Sequence, residues 1–163
     1  MSVSGWITAA LAVPAAAYTA FLFAQAKGRD LWQSPLQPLH MLGHMAVAGA
    51  AATLLLGLFV TAPPETLAFA RALLIGAVAF DLLLLVAEVC LPHGTAAAAL
   101  AVKHMTRGAH GARLVVLVIV PSVLALLCAG PLGLAALAAP AALLALVIRN
   151  DLWVRVPQEL PLS

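Results

Sequence analysis

Five apolar runs, closely spaced along 163 residues, constrain this chain more than any other feature. They cover about 3–26, 39–60, 67–91, 114–129 and 132–148. A helix needs roughly 20 predominantly apolar residues to cross the hydrocarbon of a bilayer, and the first three runs reach that length. The last two are shorter and share the turn Gly130–Pro131–Leu132–Gly133, which predicts a tight helical hairpin. Pro63–Pro64 separates the second run from the third. Only 9% of the residues are charged, against roughly 25% in an ordinary soluble domain. Too little polar surface remains to cover a water-facing globule, so lipid must cover most of it. The predicted fold is all-α, a single integral membrane bundle of about five transmembrane helices.

Sidedness follows from the Lys/Arg bias of short loops. Lys27 and Arg29 follow the first run, Lys103, Arg107 and Arg113 lie between the third and fourth, and Arg149 and Arg155 close the fifth. With five crossings all of these fall on one side, which predicts a cytoplasmic C-terminus and an N-terminus outside. An outside N-terminus without a leader suggests a chain whose upstream helices are missing or separately encoded. Trp6, at the outer boundary, and Trp32 and Trp153, at the inner one, read as interfacial anchors. Cys90 and Cys128 fall at opposite faces, beyond the reach of a disulfide, and read as small buried hydrophobes. Residues 92–112 form the one long loop, with an Ala-rich centre that predicts a short surface helix. Pro14, Pro121 and Pro140 fall inside spans and read as packing kinks.

The net charge of +2 and the absence of an aromatic-interleaved basic patch exclude a nucleic-acid partner. No P-loop, GxSxG, HExxH or CxxC motif is present. The chemistry must come from ionisable groups inside the apolar runs, which are costly there and usually functional. Asp81 stands midway along the third run, and Glu88, seven residues on, shares its helical face. His40 and His44 share a face of the second helix at i, i+4. From one side of one helix they cannot take opposite axial positions on a haem, and they lack further ligands at zinc spacing. As protonatable groups beside a wet cavity they make chemical sense. Tyr18 lies roughly 12 Å from the inner end of the first helix, and a buried hydroxyl there needs a partner. The expectation is a polar track from the inner face through His40, Glu88, His44 and Tyr18 towards Asp81. Arg71, at the outer end of the third helix, either snorkels or holds an anion or a quinone carbonyl. His93, His104 and His110 lie in the long loop and read as surface residues.

One stretch has a recognisable pattern. Tyr18, Thr19, Phe21 and Leu22 lead into a turn with Lys27 and Arg29, then Leu31, Trp32, Ser34, Pro35, Leu36, Pro38 and Leu39, with Gly49 and Ala50 beyond. This resembles the NrfD/polysulfide reductase membrane subunit (PsrC-like) family, and the tail LLALVIRNDLWV, with Arg149, is similar to that family's C-terminus. The resemblance implies correspondence to the family's C-terminal five or so helices. It implies a multi-pass subunit of the bacterial inner (cytoplasmic) membrane, in a quinone-linked respiratory oxidoreductase. Quinone binding, an iron–sulfur partner subunit and other membrane subunits are implied with it, and no haem or iron–sulfur cluster on this chain. Quinone chemistry couples electrons to protons, which would give Asp81, His44, Tyr18, Glu88, His40 and Arg71 roles in proton transfer or quinone binding. A haem-binding cytochrome anchor and a purely structural or assembly subunit are the alternatives.

Overall fold

The structure is a computed structural model that describes residues 3–26, 29–131 and 133–160. Every regular element in it is helical. Helix α1 (Val3–Ala24) leads through a 3-10 turn (Asp30–Gln33) to α2 (Gln37–Leu56) and α3 (Pro64–Cys90). The long loop carries α4 (Ala96–Met105). It is followed by α5 (Gly108–Leu114), a π-helical turn (Val115–Ile119) and α6 (Val120–Ala129), which run on as one rod. Helix α7 (Ala135–Arg155) ends in a second 3-10 turn (Val156–Glu159). Five helical segments are long and apolar enough to cross a membrane. The fourth begins at Gly108 rather than 114, and the fifth runs to Glu159 rather than 148. Lys27, part of the charge-bias argument, lies outside the described residues.

Helices α2, α3, α6 and α7 close a ring in which each packs on the next, while α1 lies outside it against α2. The interior of the ring is built from small side chains, among them Ala50, Ala51, Ala77, Ala129, Ala139 and Ala142. Large apolar groups such as Phe59, Phe69, Leu83, Val86 and Val147 face outward. Lipid tails are as apolar as leucine, so large side chains gain little by turning inward. Close backbone approach through small residues holds such a bundle together instead.

Sequence signals account for the corners. Thr95 caps α4, its hydroxyl accepting from the Ala98 amide at 3.2 Å. Pro121 has no amide proton and crowds the preceding turn, and the widened π-turn immediately before it relieves that conflict. Gly133, with φ +66, supplies the left-handed residue of the α6–α7 hairpin. The Arg71 guanidinium lies across the same hairpin. It donates to the carbonyl of Ala129 and, at 2.7 Å, to that of Gly130, so this cation closes the C-terminus of α6.

Two apolar clusters fill the bundle. One lies towards the α6–α7 hairpin and the other, around Leu31, Met105, Val118 and Trp153, towards the end carrying α4. Trp153 belongs to this interior, 5% exposed and 5.5 Å from the His40 ring, and so is not the interfacial anchor its position near a helix end predicts. Cys128 is buried, but Cys90 is exposed, and both are free thiols.

Candidate functional site

Between the two apolar clusters, α2, α3 and α7 bring five ionisable side chains together. His40 and His44 come from α2, Asp81 and Glu88 from α3, and Arg149 from α7. Spacings of four and seven residues keep each pair on one helical face, and both faces turn towards α7. His40, Glu88 and Arg149 are 2–3% exposed. Arg149 is the centre. One of its terminal nitrogens pairs with the Asp81 carboxylate and also donates to the Asp81 backbone carbonyl at 3.2 Å. The other donates to His40 Nδ1 at 2.7 Å. The second carboxylate oxygen of Asp81 lies 3.2 Å from His44 Nε2, an ion-pair contact.

The contact between Arg149 and His40 fixes a tautomer. A guanidinium has donors and no acceptor, so His40 Nδ1 must accept, and the proton of the neutral ring sits on Nε2. That nitrogen faces Glu88 Oε2 at 3.7 Å, beyond hydrogen-bond length but close enough for its N–H dipole to favour the carboxylate. Ser34, from the loop before α2, donates to the same Glu88 oxygen at 2.9 Å. Two carboxylates face one guanidinium here, and with His40 held neutral the site is one positive charge short.

Glu88 is also where the site meets the outside. A cleft of about 420 Å³ opens at the α4 end of the bundle, lined by Leu31, Gln33, Ser34, Leu91 and His93, with Glu88 in its wall. His93 Nδ1 lies 3.9 Å from the other Glu88 oxygen. Deeper in, the void beside Gln37, His40, His44 and Trp153 is only about 10 Å³, about the volume one water needs. A haem does not fit there, and the imidazoles are already engaged with Arg149, Glu88 and Asp81. Nor do His40, His44 and Asp81 suit a metal ion, although their ligand atoms lie within 4.8 Å of one another. The Arg149 cation already sits between two of them, and a second positive charge would meet it at contact distance.

The structure brings together four of the six residues singled out in the sequence, namely His40, His44, Asp81 and Glu88. Tyr18 stands apart, 61% exposed on the outer face of α1, so the track does not pass through it. Arg71 is at the opposite end of the bundle, engaged with helix carbonyls. Arg149, the residue that ties the cluster together, reads in the sequence as an inner-side charge closing the fifth run and as part of the C-terminal resemblance, with no place among the site residues. Its signal was the unbroken apolar run before it and Leu152–Trp153 after it, a context in which an arginine is inside the bundle as readily as at its edge. His93, which reads in the sequence as a surface residue, lines the cleft.

Fold and site together define a class, a helical bundle with the dimensions and surface of a multi-pass membrane protein and a buried ion-pair cluster beneath a cleft. No family model, curated protein or solved structure matches this chain.

Proposed function

We propose that this chain is the membrane subunit of a quinone-linked oxidoreductase complex, and that Glu88 exchanges protons with a quinone or quinol headgroup in the cleft beside it. The observation that carries this reading is the position of Glu88, buried to 2% exposure yet in the wall of a cleft. The cleft's volume is within the roughly 300–1,000 Å³ of small-molecule sites, and its lining mixes Leu31, Pro35, Leu36 and Leu91 with Asp30, Ser34, Glu88 and His93, apolar surface for a ring and polar groups for its oxygens. A bound quinone would supply the coupled electron and proton chemistry. The chain's own residues hold and move the proton. The Ser34 hydroxyl and the His40 Nε2–H, the latter fixed by Arg149, both face Glu88 Oε2, and His93 is the neighbouring proton-carrying group in the cleft wall. The likeness of residues 18–39 to the NrfD/polysulfide reductase family supports the same assignment, with an iron–sulfur subunit as electron partner and the bacterial inner membrane as location. The arginines of the α4 end, read by the positive-inside rule, support a cytoplasmic position for that end and for the C-terminus.

Proton passage deeper than His40 is a different matter. Its Nε2 carries a proton and its Nδ1 is held by a group that never gives one up, so the Glu88-to-Asp81 direction is closed while Arg149 stays in place. The reading is therefore a local proton acceptor at the cleft, not a path across the membrane.

The test is affinity purification through the C-terminus in mild detergent, followed by mass spectrometry and quinol-linked turnover of the recovered complex. Iron–sulfur and further membrane subunits are expected to co-purify, with extractable quinone. Glu88→Gln is expected to lower turnover at least tenfold at unchanged complex levels, about the size of a lost general base. A lone chain, or full turnover in that variant, contradicts the proposal.

A further inference from the structure

A second cluster, apart from the cleft, has no role in that reading. His104 lies in the last turn of α4, His110 near the start of α5 and Glu159 at the end of the final 3-10 turn. His110 Nε2 lies 2.9 Å and His104 Nε2 3.3 Å from the same carboxylate oxygen, Oε2 of Glu159. The two rings are 5.2 Å apart. We propose that His104, His110 and Glu159 form a binding site for a divalent transition-metal ion of the zinc class, which fastens the C-terminal segment to the corner between α4 and α5.

The geometry asks for little rearrangement. Four ligands at about 2.0–2.1 Å in a tetrahedron leave neighbouring ligand atoms about 3.3 Å apart. The three ligand atoms here already lie within 4.8 Å of one another, and two of the separations are 2.9 and 3.3 Å. All three residues remain partly open to solvent, which leaves the fourth position to water, the arrangement of three protein ligands with an open site. Two imidazoles and one carboxylate favour zinc, cobalt, nickel or copper over magnesium and calcium, which prefer all-oxygen sites.

Both sides of the site are held in place without the ion. Gly108, with φ +56, turns the chain from α4 into α5, and a Cβ on Gly111 would collide with the Thr106 carbonyl. That packing sets the two histidines side by side. The segment bearing Glu159 is held by Arg29, which donates to the carbonyls of Pro157 at 2.6 Å and Leu160 at 3.1 Å. Preorganisation of this kind lowers the ordering cost of binding. Against it, the Nδ1 of His110 is buried with no hydrogen-bond partner among the described residues, so the outer-shell support common to metal-bound histidines is missing there. Lys103 and Arg107 are close in sequence and add unfavourable charge. Binding weaker than that of closed, fully supported structural sites follows.

The test uses the full chain, purified through a tag that contains no histidine, stripped with chelator and titrated with zinc chloride by calorimetry. One ion per chain is expected, with a rise in the thermal unfolding midpoint, and magnesium chloride is expected to do neither. His104→Ala, His110→Ala and Glu159→Gln are each expected to weaken zinc binding at least tenfold. Zinc-edge X-ray absorption of the wild-type protein gives a readout independent of any variant, with imidazole coordination expected. No saturable binding, equal affinity in the triple variant, or a coordination shell without imidazole overturns the proposal.

Discussion

Arg149 is the residue on which the interior depends. It neutralises Asp81, fixes the tautomer of His40 and, through His40, biases Glu88. Removing one partner of a buried pair costs roughly 3–5 kcal/mol, because the remaining charge is stranded, whereas replacing both with apolar groups is often neutral. Arg149→Met is therefore expected to destabilise the protein by about that amount, and Arg149→Met combined with Asp81→Leu by clearly less. Denaturation of the purified variants in mixed micelles checks this. A double-variant loss equal to the sum of the losses in Arg149→Met and Asp81→Leu alone would mean the pair is not coupled. The histidines and carboxylates of this cluster were legible in the sequence because ionisable groups in apolar runs are conspicuous. Arg149 was not, because near a helix end a snorkelling arginine and a buried one look alike in sequence, and only packing against α2 and α3 separates them.

At the level of elements, the corners are closed by particular side chains, and one of them does something the sequence does not suggest. It is Arg71, a cation whose hydrogen bonds end on the carbonyls of Ala129 and Gly130. Hydrogen bonds from a charged donor contribute about 1.5–3 kcal/mol. Arg71→Leu is expected to cost the α6–α7 hairpin an amount in that range while leaving quinol-linked turnover of the assembled complex unchanged. Thermal unfolding and turnover of the same preparation read both quantities. Lost turnover at normal stability would restore a ligand-binding role to Arg71. The five helices of membrane-spanning length among the described residues were readable from run length, since a membrane sets that length. The registers of the fourth and fifth were not, since α5 and the end of α7 extend beyond the apolar runs by packing on each other and on α4. Tyr18 was misplaced for a related reason. Its depth in α1 follows from counting residues, but which face of α1 meets α2 depends on contacts centred on Ala20.

For the whole molecule, α3 separates the loop at residues 57–63 from the segment at residues 91–107, which lie at opposite ends of the bundle with Arg71 at one and the cleft at the other. The proposed orientation, resting on the positive-inside rule, puts the second loop in the cytoplasm. Reporter fusions at Ala62 and Gly94 should therefore report opposite compartments, with the cytoplasmic reporter active at Gly94. The reverse pattern would turn the cleft towards the outside and with it the direction of proton exchange.

The central claim is that Glu88 takes and returns the proton of a quinone in the cleft, and infrared difference spectroscopy tests it most directly. The purified chain, loaded with a short-chain quinone and cycled electrochemically, should show a carboxylic-acid band that appears or disappears with quinone reduction. That band should be absent in Glu88→Gln and shifted in Glu88→Asp, with quinone still bound. A spectrum with no carboxylic-acid change, or one unchanged by Glu88→Gln, would contradict the account.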